Sequence, residues 1–125
     1  MRKLAVMTLT VLLVVAACGT SEADRPGTAE WTPKWVELRD IVPDPATIED
    51  KGVEVCSGFL GEVRERRADV IPTPDEGLDD PVTEWVAEAE TVGLDCDREG
   101  DLAERLSDLH KRSDEIDARI DLLSR

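Results

Sequence analysis

Apolar positions along the chain form one dense run followed by four stripes at helical spacing. Leu4–Val15 is the run: 12 residues interrupted only by Thr8 and Thr10, preceded by Arg2 and Lys3. Trp31, Trp35 and Leu38 share one helical face, and Thr32-Pro33 reads as a start signal, a cap followed by proline at the first helical position. That predicts a short helix from there to about Ile41. Pro43-Asp44-Pro45 ends it and starts the next, with Asp44 as cap. Ile48, Gly52, Val55, Cys56, Phe59 and Val63 then make a stripe that runs on to about Asp69. Gly52, Gly58 and Gly61 weaken this second helix by nearly 1 kcal/mol each relative to alanine, so its start can slip to about Gly52.

Residues 69–80 hold two Pro, four Asp and Gly77 and read as a turn-rich loop. Asp80-Pro81 restarts a third helix, with Val82, Trp85, Val86 and Ala89 on one face and an end near Gly93. The fourth stripe is the longest. Leu102, Leu106, Leu109, Ser113, Ile116, Ile120 and Leu123 alternate in steps of four and three, a heptad seam with one polar interruption. Asp101 with Glu104 resembles a capping box, and Asp101–Arg105, Asp108–Arg112, Glu115–Arg119 and Asp121–Arg125 are acid-to-base pairs four residues apart. No segment reads comparably as a strand. The expected fold class is all-α: a small three-helix bundle plus a short N-terminal helix.

The last helix, about 36 Å from Asp101 to Arg125, outruns the two before it, which offer about 20 Å each. Part of its seam, mostly Ile116, Ile120 and Leu123, therefore needs another covering. The N-terminal helix can fold back with Trp35 and Leu38 on the seam. Alternatively a second copy or another protein docks along 101–124 as a short coiled coil.

Composition divides the chain. Its 125 residues carry 15 basic and 29 acidic side chains, net −14. Removing residues 1–17 takes away Arg2 and Lys3 and no acid, leaving 13 basic against 29 acidic, net −16. So acidic a domain excludes nucleic acid as a partner, because that binding rests on Lys and Arg neutralising phosphates. Gly19–Glu30 has no large apolar side chain to offset chain entropy, so 18–30 reads as a flexible tether with a typical reach of about 20 Å. The domain proper is 31–125.

The first twenty residues resemble the leader of bacterial lipoproteins. A basic start and an apolar stretch of roughly 7–15 residues fit a secretory signal, and the run is short of the about 20 residues of a spanning helix. Val15-Ala16-Ala17-Cys18 looks like a lipobox. The resemblance implies cleavage before Cys18 by signal peptidase II and a diacylglyceryl group on its thiol, giving an extracytoplasmic protein anchored to the cell membrane by lipid. The plainer reading is an ordinary signal peptide cut after Ala17, with Cys18 free. With Cys18 acylated, Cys56 and Cys96 remain, and an even pair in an exported chain implies a disulfide. Free thiols or a metal pair are the alternatives, but two Cys and His110 fall short of the four ligands of structural zinc. Antiparallel packing of the second and third helices brings Cys56 and Cys96 level. A Cys, a Pro-rich loop, then Trp and a second Cys is also similar to small lipoproteins of GC-rich actinobacteria, a likeness that implies no activity.

Catalytic signals are poor. His110 is the sole histidine and reads as a surface side chain, and Ser57 sits in Cys-Ser-Gly rather than in a nucleophile elbow. No phosphate-binding glycine loop is present. With 29 acids, a pair of neighbouring carboxylates is no signal. Asp95-Cys-Asp97-Arg-Glu99-Gly100-Asp101 resembles the start of an EF-hand loop, but Leu106 stands where the bidentate glutamate belongs. Trp31, Trp35 and Trp85 read as core. The expectation is therefore a lipid-anchored binding or structural module with no catalytic, cofactor or metal residues. A calcium module using Asp95–Asp101 is the alternative.

Overall fold

The computed structural model describes residues 22–56, 58–96 and 101–125. These form helices joined by short turns, with no strand among the described residues. After a short 3-10 turn at Glu22–Asp24 come α1 (Thr28–Asp40), α2 (Pro45–Lys51), a 3-10 stretch (Gly52–Cys56), α3 (Phe59–Val70), α4 (Glu76–Asp95) and α5 (Leu102–Leu123). The all-α expectation holds. Helices α3, α4 and α5 pack in sequence, and α1 closes the ring by touching both α3 and α5.

Three tryptophans fill the centre, all wholly buried. Trp31 and Trp35 lie parallel with ring centroids 6.0 Å apart, and Trp85 meets Trp35 edge-on at 5.0 Å. Each indole N–H has an acceptor, which buried tryptophans need. Trp31 donates to the Val70 carbonyl at 2.9 Å, Trp35 to Asp117 Oδ1 at 2.8 Å, and Trp85 to Ser113 Oγ at 2.9 Å. Ser113, the polar break in the heptad seam, is thus the partner of Trp85, and its own hydroxyl donates to the Leu109 carbonyl.

The seam is buried from Leu102 to Ile120. Its surplus length is covered within the chain as far as Ile120, while Leu123 stays 39% exposed: α1 folds back, with Trp35 and Leu38 in the core and Arg39 on Asp117 at 3.1 Å. That removes the reason for a second copy to cover Ile116 and Ile120.

Two helix starts differ from the expectation. Helix α1 begins at Thr28, capped by extended Gly27, and Pro33 is its sixth residue. Helix α4 begins at Glu76, and Pro81 is its sixth residue. Its cap is Asp75, whose Oδ1 accepts the Gly77 N–H at 2.8 Å. An interior proline costs about 3 kcal/mol. In both helices one large apolar side chain just upstream, Trp31 or Leu78, is buried only if the helix starts earlier. Burying such a side chain stabilises by about 1.5–3 kcal/mol, comparable to that cost. Pro81 also leaves the Gly77 carbonyl without its helical donor, and Arg119 fills the place with a 2.9 Å hydrogen bond.

The second helix is broken rather than continuous. Gly58 has φ 84°, a left-handed conformation that ends one segment and starts α3. Asp44 caps α2 as expected, its Oδ1 accepting the Ala46 N–H. Asp101 caps α5 through its carbonyl, which accepts the Arg105 N–H, and not through its side chain, so the capping box does not form. Asp108–Arg112 forms at 3.2 Å. Arg105 and Arg119 reach other helices instead. Tight packing of α3 on α4 depends on Gly93, where a Cβ would lie 2.9 Å from that of Leu60.

Candidate functional site

The two ends of the bundle hold the groups with distinctive chemistry. At one end the N-terminal strap is fastened by Arg25, whose side chain is 8% exposed. Its Nη1 and Nη2 donate to Asp79 Oδ1 and Oδ2, both at 2.8 Å, a paired contact stronger than a single neutral hydrogen bond. Nη1 also reaches the Thr73 carbonyl at 3.2 Å and its hydroxyl at 3.3 Å. Thr73 is buried in the α3–α4 connection, and its hydroxyl donates to Asp79. The Arg25 guanidinium, aided by Thr73, holds the Asp79 carboxyl at a pKa of about 2, well below its ordinary 3.8. The strap therefore corrects the tether boundary: residues 25–30 belong to the folded domain. Sequence patterning misses this because the segment lacks apolar anchors and its partner is 54 residues away.

At the other end Cys56 and Cys96 form a disulfide across a separation of 40 residues, with Cα atoms 5.8 Å apart. It joins the end of the 3-10 stretch to the C-terminal cap of α4, as antiparallel α3–α4 packing requires. Beside it Arg105 donates to Asp95 Oδ2 at 2.9 Å and lies 3.6 Å from Glu88. The Asp95 hydrogen bond, reinforced by the charge of Glu88, raises the Arg105 pKa further above its ordinary value. Asp95, the first position of the EF-hand-like segment, is engaged by a cation. Asp97–Gly100 lie outside the described residues. Among the described residues no group of three or more His, Cys, Asp or Glu is placed to hold a metal ion.

The remaining candidates are dispersed. Cys18 and Ser57 lie outside the described residues. His110, expected at the surface, is half-buried, and its Nε2 is 3.1 Å from the Pro43 carbonyl. The carbonyl can only accept, so this nitrogen carries the proton and ties α5 to the α1–α2 connection. A hollow between α4 and α5, lined by Pro81, Glu84, Arg112, Glu115, Ile116 and Arg119, brings no nucleophile beside a base. Among the described residues no helix is long and apolar enough to cross a membrane. No protein-family model, curated protein or solved structure matches the chain.

Proposed function

We propose that this chain is a lipid-anchored extracytoplasmic lipoprotein whose acidic helical domain works as a binding or structural interaction module. Val15-Ala16-Ala17-Cys18 after the Leu4–Val15 run carries the reading. Cleavage before Cys18 and diacylglyceryl transfer to its thiol leave residues 18–125 tethered at the membrane. The Cys56–Cys96 bond supports an oxidising compartment, where such bonds persist. Two acyl chains suffice for stable anchoring, where one gives marginal binding. The calcium reading has less support, since Arg105 occupies Asp95.

The test is metabolic labelling with a clickable fatty acid in a bacterial host. The native chain takes up label, sediments with membranes and shortens on processing. Cys18→Ala stays unprocessed or is released without label. Labelled, processed Cys18→Ala protein sinks the proposal.

A further inference from the structure

The end of the bundle that carries Arg25 has an apolar rim. Among the described residues four large apolar side chains are exposed: Ile71 at 41%, Leu94 at 56%, Leu122 at 65% and Leu123 at 39%. Three of them lie at this end. Leu122 and Leu123 border a hollow of about 190 Å³ with Leu78, next to the Asp79 that holds Arg25. Ile71 is two residues from Thr73, the other partner of Arg25, but opens onto the side of the bundle, in a hollow shared with Val86 and Glu90. Leu94 is 15 residues further along α4 than Asp79, about 22 Å away.

The strap decides which end faces the anchor. Seven residue steps separate Cys18 from Arg25; the Glu22–Asp24 turn advances only about 2 Å per step, so the span is at most about 20 Å. Arg25 is fixed on the bundle by its paired contact with Asp79, so the leash starts at the apolar end. With the Leu94 end towards the bilayer instead, Arg25 stands about 22 Å above it, beyond that span.

We propose that Leu122 and Leu123 form a membrane-facing rim that rests on the outer surface of the bilayer holding the acyl chains of Cys18. The inference rests on the lipoprotein reading. The Arg25–Asp79 pair is the positioning device: it keeps the rim down and the disulfide end outward. Asp75 and Arg119 both line the hollow, but the domain after residue 17 carries 13 basic and 29 acidic side chains and so opposes an anionic surface. Contact is therefore closer on zwitterionic lipid, and added salt lessens the difference because it screens exposed charges.

Coupling residues 18–125 chemically through the Cys18 thiol to a maleimide lipid in phosphatidylcholine vesicles tests this with the Cys56–Cys96 bond intact. A fluorophore on a genetically encoded azide reports from position 124 or from position 54, and nitroxide-labelled headgroups quench it. The expected result is quenching at least threefold stronger at 124 than at 54. Leu122→Ser with Leu123→Ser reduces that ratio twofold or more with helicity unchanged, and Arg25→Ala brings it close to one. Including phosphatidylglycerol lowers the ratio, and salt restores it. Equal quenching at both positions, a ratio unmoved by the serine variants, or quenching that rises with protein density through self-association overturns the proposal. Because the lipid is attached chemically, this outcome is independent of whether cells acylate Cys18, which the labelling experiment decides.

Discussion

The two ends of this bundle are fastened by different chemistry. A covalent bond, Cys56–Cys96, closes one, and an ionic one, Arg25 on Asp79 with Thr73 beneath, closes the other. Both join segments far apart in sequence, by 40 and 54 residues. The difference lies in what undoes each. A reductant acts only on the first, and acid acts on the second. The interior between them is small and centred on three tryptophans, so each fastening is a sizeable part of a marginal total.

Four perturbations separate the ends, beginning with the most damaging. Ile116→Asp with Ile120→Asp buries two unpaired carboxylates beneath α1 and is expected to cost more than about 4 kcal/mol. A monomer melting far lower, at a temperature independent of concentration, is the outcome expected of a seam covered within the chain. Lost self-association with unchanged stability would mean a second copy covers it.

Removing the disulfide with Cys56→Ser and Cys96→Ser is expected to cost up to about 4 kcal/mol by the chain-entropy argument. Urea unfolding with and without reductant measures it. The serine variant should be insensitive to reductant, and the Arg25–Asp79 end should keep its hydrogen-exchange protection longer than the Cys56 end.

Gly93→Ala forces a methyl group onto Leu60 near the disulfide end. An overpacking cost of about 1–3 kcal/mol is expected. Leu60→Ala in the same chain should recover part of it, which a double-mutant cycle detects.

The smallest effect is the acid titration of the strap. The folded pKa of Asp79 is depressed to about 2 from 3.8, so its contribution is complete above about pH 4 and fades as pH falls towards 2. Asp79 is 38% exposed, so solvent screening limits the amount to on the order of 1 kcal/mol. Asp79→Asn should flatten the pH dependence of stability over that window while leaving the response to reductant intact.

Regular periodicity made α5 legible, and antiparallel helices of equal rise made the Cys56–Cys96 pairing legible. The burial of Trp31, Trp35 and Trp85 likewise followed from their places on apolar faces. What sequence reading missed has two physical sources. Thr32-Pro33 and Asp80-Pro81 carry strong local start signals, yet Trp31 and Leu78 upstream are buried in the core, and tertiary burial overrides local preference. Arg25 lies in a segment of small and polar residues, and no periodicity announces a guanidinium that will find a carboxylate half a domain away. The exposed apolar rim was only partly visible: Leu123 closes the heptad pattern, yet it is 39% exposed while Ile120 before it is buried.

Ser113 has a further consequence. A heptad seam of leucine and isoleucine alone could slide by one repeat, about 10.5 Å, and present nearly the same surface. Here the Trp85 N–H is shared between the Leu109 carbonyl at 3.2 Å and Ser113 Oγ at 2.9 Å, and only the hydroxyl is tied to one height on α5. Slipping either way sets Leu106 or Ile120 against the indole nitrogen and leaves a buried donor with poorer hydrogen bonding. One hydroxyl thus works as a key in a lock: it contributes little cohesion, and it admits a single alignment of the longest helix.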